Sequence, residues 1–281
     1  MNQRKHLCLA FHCLKGSPEE AIEYNSELFV SLKDIKELIL ELKDRRYYFT
    51  LPHLIKNDDI KTCSITFDDG YFNNSLFLDL AQEYKIPFIL FVTSFNIINE
   101  MPYLWDIKAS YCDNDWHFIK SNYAELYEDV NKSELPLKLT SDQHRPFTID
   151  ELKSLSSNEF CYIANHTIYH QPLTRNVSLK NVDFFSQCND FLNNFDGSQK
   201  KDIALPCGLL SRSNRKILLQ HFDRIYTING GYFSHYDRII NRISLLSPVE
   251  GSKLIDQVDK GCRFGWRLKK KVSFIKMSQG Y

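Results

Sequence analysis

Four side chains in two short stretches have the types and spacing of a hydrolytic metal site. Asp68 and Asp69 are adjacent in "CSITFDDG", and His166 and His170 stand four residues apart in "ANHTIYH". On one helical turn that spacing puts both imidazoles on the same face, about the separation needed to grip one ion. Two neutral imidazoles and one carboxylate make a facial triad with coordination positions left open, the pattern of a catalytic rather than a structural ion. The second carboxylate then has its own task. Successive side chains leaving a strand alternate in direction, so one acid can ligate while its neighbour takes a proton from a water whose pKa the ion has lowered towards about 7. Histidines at this spacing also occur on ordinary surfaces and in cores. What decides is whether the surrounding elements bring the two stretches together.

Asp-Gly between apolar runs signals a tight hairpin, which would need an alternating strand after Gly70. The next segment, "NNSLFLDLAQEYKIP", instead places Leu76, Leu80 and Tyr84 at helical spacing with Phe77 widening the stripe, and "FILFVT" comes next as a buried strand. Strand, helix, strand is a parallel unit. The two acids therefore belong at the carboxyl end of a parallel strand, where α/β sheets and barrels put their chemistry. The histidines come after a strand in the same way. Strand candidates fall at 7–11, 63–67, 88–92, 161–165, 202–206, 224–228 and 240–246. Between them, "SLKDIKELILELKDRR" opens on Ser31 as N-cap and runs Ile35, Leu38, Ile39 and Leu42 along one face, and Thr148 and Glu151 stand in capping-box register. This alternation predicts an α/β fold on a parallel sheet, open or closed into a barrel. Residues 101–147 break the rhythm and predict a helical lid inserted into a single domain spanning 1–281.

The chain has 281 residues, enough for a sizeable core, and a formal net charge of zero, which lacks the basic footprint of a nucleic-acid binder. No apolar run approaches the roughly 18 residues of a spanning helix, and "MNQRKHLCLAFHC" makes a poor secretory signal. The eight cysteines include no CxxC pair and are expected to be reduced core residues of a cytoplasmic protein. The basic cluster Lys269–Lys271 beside Trp266 reads as a solvated tail, with weak contact to an anionic membrane surface as the alternative.

"TFDDG" and "HTIYH" resemble the first two motifs of the polysaccharide deacetylase family, the NodB-homology domain of carbohydrate esterase family four. "FHCL", "KIPFILFVT", "FTIDELKSL" and "LPCG" extend the resemblance over nearly the whole chain. It implies a distorted (β/α) barrel of about seven strands that removes acetyl groups from N-acetylated sugars. It also implies Asp68 as catalytic base, and Asp69, His166 and His170 as ligands to one divalent ion, by default Zn2+. Pro206 and Cys207 would stand at the substrate, the backbone N–H of Cys207 serving the oxyanion.

Two departures accompany the resemblance. Ala204 stands where some members carry an arginine that steadies the catalytic aspartate, and "INRISLL" lacks the histidine that serves many members as general acid. His12 is the first candidate for that proton donor and His235 the second. Arg242 is a candidate for a substrate phosphate or carboxylate, or else pairs with an acid at the barrel end. Trp105 and Asp106 are candidates for stacking on and hydrogen-bonding a sugar ring. The expected function is a metal-dependent N-deacetylase acting on a sugar or glycan precursor of a surface polysaccharide. A hydrolase of another amide, or a barrel that binds sugar without turnover, is the alternative.

Overall fold

The computed structural model describes residues 6–110, 127, 130, 133, 135–173, 182–196 and 198–263. In chain order its principal elements are β1 (Leu7–Phe11), β2 (Cys13–Lys15), β3 (Phe29–Ser31), α1 (Leu32–Asp44), β4 (Tyr48–Phe49), β5 (Thr62–Phe67), α2 (Phe77–Tyr84), β6 (Phe88–Val92), α3 (Ser94–Ile98) and α4 (Leu104–Ser110). They continue with α5 (Ile149–Ser156), β7 (Cys161–Asn165), α6 (Val182–Leu192), β8 (Gln199–Ala204), α7 (Arg212–His221), β9 (Arg224–Thr227), β10 (Ile239–Asn241), β11 (Ile243–Ser244) and α8 (Leu254–Arg263).

The strands pair in the order β10-β9-β8-β7-β6-β5-β1-β11, with β4 added beside β5, and every pairing in this sheet is parallel. β10 and β11 are one stretch of chain interrupted only by Arg242. Its first half pairs with β9 (Ile240 opposite Tyr226) and its second with β1 (Leu9 opposite Ile243), which brings the sheet round into a barrel. The barrel thus has seven strand positions: β1, β5, β6, β7, β8, β9 and the split strand.

Alternation along each strand separates two cores. Leu7, Leu9, Phe11, Ile65, Phe67, Phe88 and Leu90 pack outward against α1, α2, α5 and α8. Cys8, Ile89, Phe91, Ala164, Ala204, Tyr226 and Ile240 fill the interior as a smaller cluster. Helix starts obey the sequence signals: Ser31 Oγ accepts from the backbone N–H of Asp34, and Thr148 and Glu151 form the full capping box. α2 begins at Phe77, so Leu76 lies in the preceding 3-10 turn and is exposed rather than part of the buried stripe. Residues 203–204 close β8, and Leu205 and Pro206 already belong to the next turn.

Of residues 101–147, where a helical lid is expected, the structure describes 101–110, 127, 130, 133 and 135–147. Met101, Leu104 and Ile107 pack with Tyr127, Leu135 and Leu139 as a separate apolar cluster against Phe95 and Tyr169. Residues 111–126, and the basic tail from 264 onward, lie outside the described residues. The described cysteines are free thiols, and five of them are buried. Among the described residues no helix is long and apolar enough to cross a membrane.

The last helix rests on the closing strand at Gly261. A Cβ there would sit 2.7 Å from Ile243 Cγ2 and 3.0 Å from its Cδ1. Gly→Ala in a helix ordinarily gains up to about 1 kcal/mol, whereas forcing a methyl into a packed core costs about 1–3 kcal/mol. Gly261→Ala is therefore expected to lower stability, read as a reduced urea midpoint at unchanged m-value. An unchanged or raised midpoint would show that α8 is not tightly seated on Ile243.

Candidate active site

The interior face of β5 runs Ser64, Thr66, Asp68, so Asp68 is the last inward residue of its strand. Asp69 then turns out of the strand at φ 76°, and Gly70 comes after it at φ 94°. Two hydrogen bonds hold this turn: Thr93 N–H and Tyr103 Oη both donate to the Asp69 carbonyl, at 3.0 and 2.9 Å. His166 leaves β7 with its N–H bonded to Val92 O at 2.9 Å. The histidines are not on a helix. Residues 166–170 form a loop with Thr167 at φ 69° and His170 at φ 56°, pinned by Gln171, whose Oε1 accepts from Thr167 Oγ1 and the Tyr169 N–H. The loop achieves by two left-handed residues the shared facing that a helical turn would have given.

The result is a compact donor set. Asp69 Oδ1 lies 3.3 Å from His166 Nε2 and 3.3 Å from His170 Nε2. His166 Nδ1 donates to Ala204 O at 3.0 Å, so the neutral ring would present its Nε2 lone pair on the side of Asp69. Asp69 Oδ1 is buried, makes no well-formed hydrogen bond, and has only the two imidazole nitrogens as near polar neighbours. A buried carboxylate oxygen facing two imidazole nitrogens and lacking a well-formed hydrogen bond is unsatisfied by protein alone. The three groups, whose ligand atoms all lie within 4.8 Å of one another, fit a divalent cation.

Asp68 is held differently. Arg242 Nη1 and Nη2 donate to its two oxygens at 2.6 and 2.7 Å, in the bidentate geometry characteristic of guanidinium and carboxylate. Nη1 also donates to Thr66 Oγ1 at 3.0 Å, and the guanidinium lies over the rings of Phe91 and Tyr226 at 5.3 and 6.0 Å. Burial alone would raise the Asp68 carboxyl, but Arg242 and then His166 hold it well below the usual carboxylate range. Burial likewise opposes ionisation of Asp69, and His170 and His166 overcome it. Burial draws the His170 imidazole down to about 4, a shift the Asp69 carboxylate only partly offsets.

The expectation that Arg242 contacts substrate is corrected by the structure. Its side chain is wholly buried and its fork is taken by Asp68. The signal is present in the sequence: Ile240, Arg242 and Ser244 share the inward phase of the closing strand, and a charge pointing into a barrel needs a counter-charge. Asp106 is also withdrawn from substrate, since its oxygens accept from Tyr71 Oη and Asn25 Nδ2, both at 2.6 Å, and it is buried. His235 is removed from the site altogether. It stands 2.9 Å from Asp58, beside His6 before β1, at the opposite end of the barrel.

Trp105 remains at the rim. Its Nε1 donates to Tyr71 Oη at 2.7 Å, and its ring stacks on Tyr103 and tilts against His170 at 4.5 Å. His12 comes directly after β1, and because Phe11 is in register with Phe67, it sits beside Asp68. A protonated His12 would favour the Asp68 and Asp69 carboxylates and disfavour the protonated form of His170. Pro206, Cys207 and Gly208 form one 3-10 turn after β8, with Cys207 at φ 56°. Tyr103, which anchors the Asp69 turn, has no distinguishing signal in an aromatic-rich segment.

Removing one partner of a buried, paired charge costs about 3–5 kcal/mol. Arg242→Met is expected to destabilise by that amount, and Arg242→Met with Asp68→Asn to recover much of it, because the neutral amide needs no guanidinium. A double-mutant cycle by urea denaturation measures the coupling, and additivity of the two losses would dissolve the pair. The folded-state pKa of Asp68 is depressed, so its contribution is full above the unfolded value of about 4 and is lost as pH falls through the lower folded value.

The polysaccharide deacetylase family model matches residues 55–221. Among solved structures, a Bacillus cereus polysaccharide deacetylase aligns with TM-score 0.61 at 16% identity, over 92% of this chain and 69% of that one. A de-N-acetylase from Aggregatibacter actinomycetemcomitans aligns with TM-score 0.61 at 15% identity, over 91% and 99%. A Streptococcus pyogenes deacetylase in complex with acetate aligns with TM-score 0.56 at 17% identity, over 91% and 97%. No curated protein matches the sequence. With the family model covering more than half of its residues and the barrel shared with these structures, the chain belongs to the polysaccharide deacetylase family.

Proposed function

We propose that this protein is a metal-dependent hydrolase that removes the N-acetyl group from an amino sugar within a glycan. One observation carries the reading. A buried carboxylate oxygen of Asp69 with no well-formed hydrogen bond faces two imidazole Nε2 atoms at 3.3 Å, while a second carboxylate, Asp68, stands 3.9 Å from His166 Nε2 under the control of Arg242.

Asp69, His166 and His170 would hold the ion, and Zn2+ suits two imidazoles and a carboxylate. When bound, a divalent cation supplies Lewis acidity towards water and an amide carbonyl. The protein's own groups do the remainder. Asp68 enters as the anion, because Arg242 disfavours its protonated form, and accepts the proton of the attacking water. Arg242 also fixes the carboxylate plane, so the base is oriented before substrate arrives. The departing amine needs a proton, and His12, level with Asp68 on the rim, is the donor in this reading. Trp105, braced by Tyr71 and Tyr103, forms a rigid apolar wall beside His170 for the sugar ring.

The test is acetate release from N-acetylhexosamine oligosaccharides with metal content measured in parallel. Chelator-stripped protein is expected to release none and to regain activity with Zn2+. His166→Ala and His170→Ala are expected to lose bound metal. Asp68→Asn and His12→Gln should keep the metal yet slow release by about 10²–10⁴-fold, the usual contribution of a positioned base or acid. Full activity in stripped protein, or in Asp68→Asn, would overturn the reading. Unchanged turnover in His12→Gln would remove that residue as donor.

A further inference from the structure

A second concave site lies at the opposite end of the barrel from Asp68. The groove has a volume of about 960 Å³ and is lined by Lys43, Arg46, Lys61 and Lys85, by Tyr47, Tyr48, Phe49 and Tyr84, and by a single acid, Asp59. Its walls are the carboxyl ends of α1 and α2 and the leading edge of β4 and β5, so the 6 residues of β5 lie between Lys61 and Asp68, a separation of about 23 Å at roughly 3.3 Å per residue. Lys43 and Lys85 terminate helices, where cations offset the helix dipole. That accounts for two of the charges. Arg46 and Lys61 lie beyond the helices, and Tyr48 is 63% exposed.

We propose that this groove binds an anionic glycan. Its two kinds of lining match the two kinds of surface such a chain presents. Aromatic rings stack on the apolar faces of sugar rings, and cations pair with carboxylate, phosphate or sulfate groups. Lys43 stands 4.5 Å over the Tyr84 ring and Lys61 5.4 Å over the Tyr47 ring, so those faces already carry a cation, and the exposed Tyr48 ring beside them offers the stacking surface. A lipid surface is a poorer fit, because a flat bilayer meets protrusions and this feature is concave. The protein's own tail is a poorer occupant still, since Arg267 and Lys269–Lys271 carry the same charge as the groove. A formal net charge of zero argues against a polynucleotide.

This inference rests on the deacetylase reading for one consequence. Hydrolysing an N-acetyl group turns a neutral amide into an ammonium, so each turnover makes the polymer less attractive to the groove. The site would retain unreacted, acid-bearing chain and release the product.

Hyaluronan octasaccharide, which alternates carboxylates with N-acetyl groups, is a direct probe by calorimetry at low salt. The neutral chitin oligosaccharide of equal length, polyglutamate and phosphatidylglycerol vesicles complete the set. Expected are tighter binding of hyaluronan than of any other probe, at least a tenfold loss in Arg46→Glu with Lys61→Glu, and a several-fold loss in Tyr48→Ala. Acetate release from a short neutral substrate should be unchanged in these variants, so failure of the groove and failure of the deacetylase reading give different results. The proposal is overturned if charge reversal leaves hyaluronan binding intact, if polyglutamate binds as well and Tyr48→Ala has no effect, or if only the vesicles bind.

Discussion

A guanidinium and a carboxylate locked together inside a barrel set the terms for everything at its rim. Neither Arg242 nor Asp68 could be buried alone without a penalty of several kcal/mol, and together they are tolerable only because the geometry is bidentate and Thr66 takes a further donor. The interior makes room for them. Ala10, Ala164 and Ala204 face inward with Cys8, leaving space that Phe91 and Tyr226 close around the guanidinium. Ala204 is thus more than a missing arginine. A larger side chain there would crowd the interior cluster in which Ala204 packs with Phe91 and Tyr226. The position of Arg242, between the half-strand on β9 and the half-strand on β1, means that Asp68 is oriented by the same residue at which the barrel is joined.

Around that fixed pair the rim is strained. Asp69, Thr167, His170 and Cys207 all take left-handed backbone conformations that cost non-glycine residues of order 1–3 kcal/mol each. Such conformations persist only where surroundings over-determine them, and here they do: Thr93 and Tyr103 on the Asp69 carbonyl, Gln171 across the histidine loop, and Ile228 tight against Gly208. A Cβ at Gly208 would lie 2.7 Å from the Ile228 backbone nitrogen, which fixes the turn carrying Cys207. The strain brings three donors to one point and leaves Asp69 Oδ1 without a well-formed hydrogen bond. A cation is the natural completion.

Much of this is legible in the sequence because it depends on period and order. Apolar runs of five or six residues, with helical spacing between them, dictate a parallel sheet, and a parallel sheet gathers the residues after each strand onto one rim. Asp68, Asp69, His166 and His170 can therefore be placed together from the sequence. The local route of the histidines is not legible in the same way, since i and i+4 spacing carries no record of whether the turn between them is helical or is made by Thr167 and His170 at positive φ. Asp106 misleads for a related reason. An acid beside a tryptophan on a lid looks available until tertiary structure brings Asn25 from 81 residues away to hydrogen-bond it. His235 fails on direction, for the chain after β9 runs back under the barrel to reach Asp58.

The two ends of the barrel divide the labour along the physics of parallel strands. At the carboxyl ends, each strand can be succeeded by a loop of arbitrary conformation, so backbone strain and converging polar groups accumulate there and chemistry becomes possible. At the amino ends, helices terminate and the chain must turn back in register. Lys43 and Lys85 at helix ends, with β4 added beside β5, leave an open edge lined with cations and rings. The two ends therefore differ in kind: converging, tightly held polar groups at one, and about 23 Å away a broad surface of cations and rings at the other. At the carboxyl end order is imposed most firmly on Asp68, gripped by two hydrogen bonds from one rigid fork.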